Sequence, residues 1–551
     1  MNYTELTMLY RETDRDLTLF SQKINGQSEE DFIPNNENIA KAKKELEILR
    51  KTVESLPDED KVAAVVKHHF IDFADSLEYQ IDDAKNHPEK YFMGFNWSID
   101  YVSRLGLSPD KEKCESLLKY PQKVMSKKDI LVELIKERNN ENGLYSVGYQ
   151  IEYDSEILTK EIDRLSKKFP QCPEDIMNEF RNLLTEFVEM QQNIAKELME
   201  QGTPSQKISD DLNKIVKFGE EEYRVLLKKK LGVSLDELLS WHKEEMEKTR
   251  AEVFEIASKL DIPEKPKTMQ EINEILFKYE GPCESAEEMF ERANMYLKRT
   301  RALAHEYVDL PDDEFCKCVD IPDSCKDSYP WGGYEGGDFS VRPFHGQMFL
   351  NQYNFKNIND GWIKLNSLHE AYPGHHVQYI KTAISERPET TKIGAKYIPV
   401  LEGTCLRTER AFEFIFAEDD FFPLFVAYRR HHAAVRICVD LMLYYYGLPL
   451  KDAVELYEKE LGFDRVTARG QVQAHQNQPG YFTCYYYGMK KLCGWEKEYG
   501  FDKKEFSEIL FSAGYISIDT FGELVKLSLE DRQRYYKDFC SLLKEEIKTI
   551  K

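Results

Sequence analysis

His369-Glu370-Ala371-Tyr372-Pro373-Gly374-His375-His376 sets a carboxylate directly beside one imidazole and puts two more imidazoles just past a Pro-Gly pair. A metal that activates water needs neutral imidazoles or carboxylates as ligands, an open coordination position and a nearby carboxylate to take the water's proton. His369 and Glu370 match the first half of the H-E-x-x-H signature, but Pro373 stands where the second His belongs. On a regular helix, residues four apart lie about 40° from alignment, whereas residues six apart fall roughly 120° short of two full turns. His369 and His375 therefore cannot share an ion on an unbroken helix. Pro373 has no N–H and opposes the His369 carbonyl, while Gly374 tolerates unusual torsions, so a bend or π-bulge here can swing His375 back toward His369. His376 is better phased but sits about 10 Å along the axis, and ranks second as a ligand. The competing reading is a plain turn between helices that carries surface histidines.

His369-Glu370-x-x-Pro373-Gly374-His375-His376-x-Gln378 resembles the central motif of a large bacterial family known as domain of unknown function 885, whose folds look like those of zinc peptidases. The resemblance runs from about Phe339 to Gly488, and more loosely through the N-terminal half. The family motif continues with Glu-Gly-Trp and a second Glu seven positions after the first. Here Glu402-Gly403-Thr404 and Glu409 keep both glutamates and replace the Trp. Pro479-Gly480, Tyr485 and Gly488 are similar to a later family segment, with Tyr481 where a Gln is usual.

The resemblance implies zinc held by His369, His375 and Glu402, the last like the third-ligand Glu of zinc peptidases of the Glu-ligand class. Glu409, two helical turns beyond Glu402, is the alternative ligand or a residue orienting one. Glu370 is the expected base, taking the proton from attacking water and returning it to the leaving amine. Tyr485 is the first candidate for stabilising the oxyanion, with His475 as the alternative. Arg436 and Asp440, spaced i and i+4, resemble a further family feature. They form either a local ion pair or a cleft in which Arg436 engages a peptide carboxylate. The adjacent pair His431-His432 points about 100° apart and stays outside the metal site.

Composition fits an intracellular enzyme. The 99 acidic against 75 basic residues give a formal charge of −24, which disfavours nucleic acid as a partner. Met1-Asn2-Tyr3-Thr4-Glu5-Leu6 leads into no apolar run, and no uninterrupted span reads as a membrane helix, so a cytoplasmic location is expected. The 11 cysteines are odd in number and scattered, unlike a secreted disulfide scaffold. Cys316, Cys318 and Cys325 cluster in a stretch read as a loop of reduced thiols, with metal binding or local oxidation as the alternative.

The first half reads as helical. Leu183, Phe187, Met190, Ile194 and Leu198 recur every three or four residues, giving one face that packs and one that stays wet. Ile262-Pro263-Glu264-Lys265-Pro266 breaks the pattern, and Thr268 with Glu271 then forms a capping-box signature. Gly281-Pro282 with Ser285 and Glu288 gives another stop and start. These breaks suggest a helical N-terminal lobe over 1–265 and a catalytic lobe over 266–551. Leu310 to Gly337 has loop chemistry. The segment after it supplies short strands, with Phe349-Leu350-Asn351 as the candidate substrate-binding edge strand or, equally, a structural hairpin.

The expected protein is mainly α, a multi-helix zinc-peptidase-like architecture with a small β element beside the active-site cleft. Its expected activity is zinc-dependent hydrolysis of short peptides, of carboxypeptidase or oligopeptidase type. The rivals are a non-haem iron enzyme with a two-His-one-carboxylate site and a catalytically inactive helical binding protein. The sequence sets no oligomeric state.

Overall fold

A computed structural model describes every residue except 26–31, 94–110, 169–172, 205–211, 217, 322–325, 327–330, 338, 340, 541–547 and 550–551. Three N-terminal helices, α1 (Tyr3–Ile24), α2 (Asn36–Glu54) and α3 (Lys61–Asn86), are followed by α4 (Lys111–Met125), α5 (Lys128–Arg138), α6 (Glu141–Lys168) and α7 (Glu174–Gln201). The stripe read from sequence lies on α7, where Phe187, Met190, Ile194 and Leu198 are buried. Each of these side chains contributes roughly 1.5–3 kcal/mol by leaving water.

Helices α8 (Glu220–Leu226), α9 (Leu235–Lys259), α10 (Met269–Tyr279) and α11 (Ala286–Tyr307) lead to the sheet. Thr268 and Glu271 form the expected capping box of α10. Ser285 caps α11 by accepting from the Glu288 N–H.

The sheet has order β1-β4-β2, with β1 (Glu314–Asp320) parallel and β2 (Gly332–Gly336) antiparallel to β4 (Phe344–Leu350). A two-residue pairing joins β3 (Val341–Arg342) to β5 (Lys548–Thr549). Two expectations change here. Cys316 and Cys318 belong to strand β1 rather than to a loop, and both are free thiols; Cys325 lies outside the described residues. Phe349 and Leu350 lie in the central strand, hydrogen-bonded on both sides, so they offer no open edge. Every residue of β4 is buried, and a strand covered on both faces reads in sequence like any short apolar run.

The remaining helices are α12 (Asp360–Asn366), α13 (His375–Ile384), α14 (Thr390–Ile393), α15 (Ile398–Ala411), α16 (Phe422–Tyr444), α17 (Leu450–Leu461), α18 (Arg465–Asn477), α19 (Thr483–Tyr499), α20 (Lys503–Ser512), α21 (Ile518–Leu524) and α22 (Leu529–Lys537). The architecture is mainly helical with one small sheet. Its cores do not divide at residue 265. One contains Leu17, Val66 and Phe70 together with Leu368, Val377 and Ile437, whereas Phe92 and the buried apolar residues of α5 to α7 form a second. Among the described residues, no helix is long and apolar enough to cross a membrane.

Candidate metal centre

The central motif folds as a broken helix. After α12 the chain makes a π turn, Ser367–Ala371, leaves helical geometry through Tyr372, and starts α13 at His375. Gly374 makes the break possible, because a Cβ there would overlap the carbonyl oxygens of Leu368 and His369. The imidazoles of His369 and His375 consequently face each other edge-on, with centroids 5.1 Å apart.

Glu402 enters from α15. Its Oε2 lies 3.4 Å from His369 Nε2 and 3.5 Å from His375 Nε2. Ligand atoms about 2.0–2.2 Å from a tetrahedral zinc sit about 3.3–3.6 Å from one another, so this spacing fits a shared ion. Glu402 Oε2 is also buried and has no hydrogen-bond partner among the described residues, which is costly for a carboxylate oxygen unless a cation meets it.

The outer sides of these groups are held in place. Glu409 Oε1 lies 2.7 Å from His369 Nδ1, and Gln378 Oε1 lies 2.9 Å from His375 Nδ1. Tyr481 donates its hydroxyl proton to Glu402 Oε1 at 2.6 Å. A carboxylate or amide behind a histidine fixes its tautomer and points the other nitrogen inward. Glu409 is therefore placed behind His369, and Glu402 stands at the inner side.

The electrostatics point the same way. Burial opposes the charged form of His369, but Glu402, Glu409 and Glu370 outweigh it and hold the imidazole up at about 10. Glu402 is held well below the usual carboxylate range, against its burial, by His375 and His369. A pocket that draws protons onto imidazoles is one that also attracts a metal cation. Cys405 lies close to both histidines, but its Sγ is 3.4 Å from His375 Nδ1, on the side away from Glu402. Burial, followed by Glu402, Glu370 and Glu409, pushes its thiol well up, so it stays protonated. The three residues His369, His375 and Glu402 fit the ion better than a set containing Cys405.

Glu370 is half-buried in the π turn beside His369 and makes no hydrogen bond to a described residue, which leaves its carboxylate unengaged. Tyr485 stacks on the His369 ring at 6.3 Å, and its hydroxyl lies 3.3 Å from that of Tyr481. Burial and Glu402 raise the Tyr485 phenol well above its ordinary value, so it remains a donor at neutral pH. The close approach of α15 and α19 puts these groups together. A Cβ on Gly403 would come within 2.6 Å of Gly488 carbon and Met489 nitrogen, and one on Gly488 would overlap the Pro399 carbonyl oxygen.

Several candidates lie elsewhere. His376 is fully buried with Nε2 2.8 Å from Glu314 and Nδ1 2.8 Å from the Tyr334 hydroxyl, so neither nitrogen is left for the ion. Glu314 itself is held down at about 2, because His376, Tyr372 and Arg301 outweigh its burial. His475 has Nδ1 2.7 Å from Asp440 and Nε2 2.8 Å from the Tyr457 hydroxyl, which removes it as an oxyanion donor. Asp440 also accepts from Tyr223 and the Gly480 N–H and makes no ion pair with Arg436. Asn351 is buried, and its side chain caps the following turn at Tyr353 and Asn354 rather than facing a substrate. Tyr334 and Gly346 abut His376, which places the sheet beside the motif.

Sequence reasoning missed Glu314, Arg429 and the role of Tyr481. Glu314 stands far from the motif in sequence and carries no signature. Arg429, seven residues before Arg436, could have been found by its helical phase.

No curated protein matches this chain. Two solved structures are similar to it: a candidate lipoprotein from Colwellia psychrerythraea, at 16% identity over 95% of this chain and 98% of that one with a TM-score of 0.65, and a candidate lipoprotein of unknown function from Shewanella oneidensis, at 14% identity over 94% and 99% with a TM-score of 0.66. At such identities the likeness speaks to the fold alone. The chain belongs to the family described as "Bacterial protein of unknown function (DUF885)", whose model matches residues 30–525.

Proposed function

We propose that this protein is a zinc-dependent peptidase acting on short peptides. The observation that carries the reading is the unpartnered Glu402 Oε2 at tetrahedral ligand spacing from His369 Nε2 and from His375 Nε2, with Glu370 unengaged beside them. When bound, zinc supplies Lewis acidity and makes an adjacent water acidic at neutral pH. Glu370 accepts the proton of the attacking water and passes it to the leaving amine. Tyr485, kept protonated by its buried setting, donates to the developing oxyanion. Tyr481 holds Glu402 in orientation.

The test is Glu370→Gln. It should keep about one zinc per chain, measured by elemental analysis of tag-free protein, while hydrolysis of a short-peptide library falls at least about 100-fold. Turnover close to that of the unmodified enzyme would remove Glu370 from this role. Iron with oxygen-dependent turnover would favour the two-His-one-carboxylate oxygenase. Full zinc occupancy with no peptide cleaved would favour a binding protein.

A further inference from the structure

Helix α16 carries Arg429, His432 and Arg436 at i, i+3 and i+7, on one face. All three are buried, Arg429 at 6% and Arg436 at 8% exposure. Buried guanidinium groups ordinarily meet carboxylates that satisfy their fork of donors. Here the carboxylate near Arg429 is Glu409 Oε1 at 3.8 Å, and that oxygen is already engaged with His369 Nδ1 at 2.7 Å. Among the described residues, Nε and Nη1 of Arg429 have no hydrogen-bond partner. Arg436 reaches Gln471 Oε1 only at 3.4 Å, its Nε has no partner, and among the described residues no carboxylate lies within ion-pair distance of it. Asp440, the acid nearest in sequence, is committed to Tyr223, His475 and the Gly480 amide. Nε2 of His432 has no partner among the described residues either.

The two cations flank the candidate active site. Arg429 and Arg436 lie 5.6 Å and 5.4 Å from the Tyr485 ring centroid, and His369 stacks on the same ring. Arg436 also lies 4.7 Å from the centre of the Phe482 ring. Aromatic faces attract guanidinium groups but leave their in-plane N–H donors unsatisfied. Two adjacent buried cations with open donors form a site for a planar anion that accepts bidentate bonds. Burial and Arg429 hold the Arg436 guanidinium below its ordinary range, and an anion beside it would offset both.

We propose that Arg429 and Arg436 form a carboxylate-binding subsite beside the metal centre, and that its occupant is the free C-terminal carboxylate of a short peptide. The assignment rests on the peptidase reading above and makes the enzyme a carboxypeptidase. One residue of extended chain spans about 3.3–3.6 Å, so a terminal carboxylate follows the scissile bond closely. A subsite that shares the Tyr485 wall with the metal ligands suits that short reach.

The experiment compares zinc-loaded full-length enzyme on N-acylated peptides with neutral side chains, offered as the free acid and as the C-terminal amide, and on an amide bearing Glu at the last position. The free acid should exceed the neutral amide at least about 100-fold in kcat/KM, chiefly through KM, as loss of charge-assisted bonds to two guanidiniums implies. Arg429→Gln and Arg436→Gln should each slow cleavage of the acid more than cleavage of the amide and bring their ratio toward unity, with Arg429→Lys recovering part of the loss. Equal hydrolysis of acid and amide by the unmodified enzyme overturns the proposal while leaving the peptidase reading intact. Full recovery with the Glu-bearing amide overturns the C-terminal assignment in favour of an acidic side chain. Calorimetric titration with succinate separates the two readings from the other side. Binding that is lost in Arg429→Gln, with no peptide cleaved, upholds the carboxylate subsite and removes the peptidase. The acid and amide pair needs no variant, so a misfolded mutant does not stall the test.

Discussion

The hydroxyl of Tyr481 donates to Oε1 of Glu402 at 2.6 Å, and Oε2 of the same carboxylate is left facing His369 and His375. Removing that hydroxyl releases the carboxylate to rotate. Tyr481→Phe should keep the fold and weaken zinc about 10–100-fold, as loss of a group orienting a ligand does. Competition with a chromophoric chelator measures it, and unchanged affinity would show that Glu402 is positioned by its own helix.

The two neighbouring histidines should behave differently. His375→Ala removes a proposed direct ligand and should abolish most zinc binding. His376→Ala should retain zinc and lose about 1–3 kcal/mol of stability, because the buried Glu314 and Tyr334 each lose a partner. Denaturant melts with metal analysis separate the two. Zinc loss in both variants would return His376 to the ligand set.

Glu280 offers a pH test away from the candidate metal site. Burial, with Asp419 beside it, pushes its carboxyl up to about 8. Between an unfolded value near 4.5 and about 8 the native state holds a proton that the unfolded chain has released, so this group lowers stability as pH rises through that window. Glu280→Gln should remove that slope, gaining on the unmodified protein from pH 5 to pH 8. Parallel stability curves for the two proteins would contradict it.

Gly488→Ala should destabilise by at least about 2 kcal/mol, since a Cβ overlaps the Pro399 carbonyl and α15 must move away from α19. Gly470→Ala is the control: it lies exposed inside α18 with nothing within 4 Å of its Cβ, and should gain roughly 0.5–1 kcal/mol. Equal effects at the two positions would argue against close helix contact at Gly488.

The helical class, the caps at Thr268 and Ser285, and the return of His375 to His369 were legible because each rests on local rules: apolar period, capping chemistry and the torsional freedom of Pro-Gly. What escaped depends on long-range placement. Nothing in Glu314-Phe315-Cys316-Lys317-Cys318 announces a strand parallel to β4, and the Pro- and Asp-rich flanks read as loop. Asn351 looked like an edge residue because sequence cannot tell which strand is central. Arg429 stood unremarked in Tyr428-Arg429-Arg430-His431, since an arginine is ordinary until its missing carboxylate is seen.

The core shared by the first three helices and the helices of the candidate site bears on how far the chain can be dissected. Asp14 on α1 accepts from the Glu389 and Thr390 amides at the start of α14, and Lys396, just ahead of α15, reaches Asp72 and Asp75 on α3. Tyr223 on α8 steadies the Asp440 that in turn holds His475. A fragment beginning at residue 266 would strip these groups of their partners and bare the apolar face that met Leu17, Val66 and Phe70. The amino-terminal helices are thus a wall of the body that carries the candidate site and not a detachable cover, and truncation at that point removes the scaffold together with the lobe.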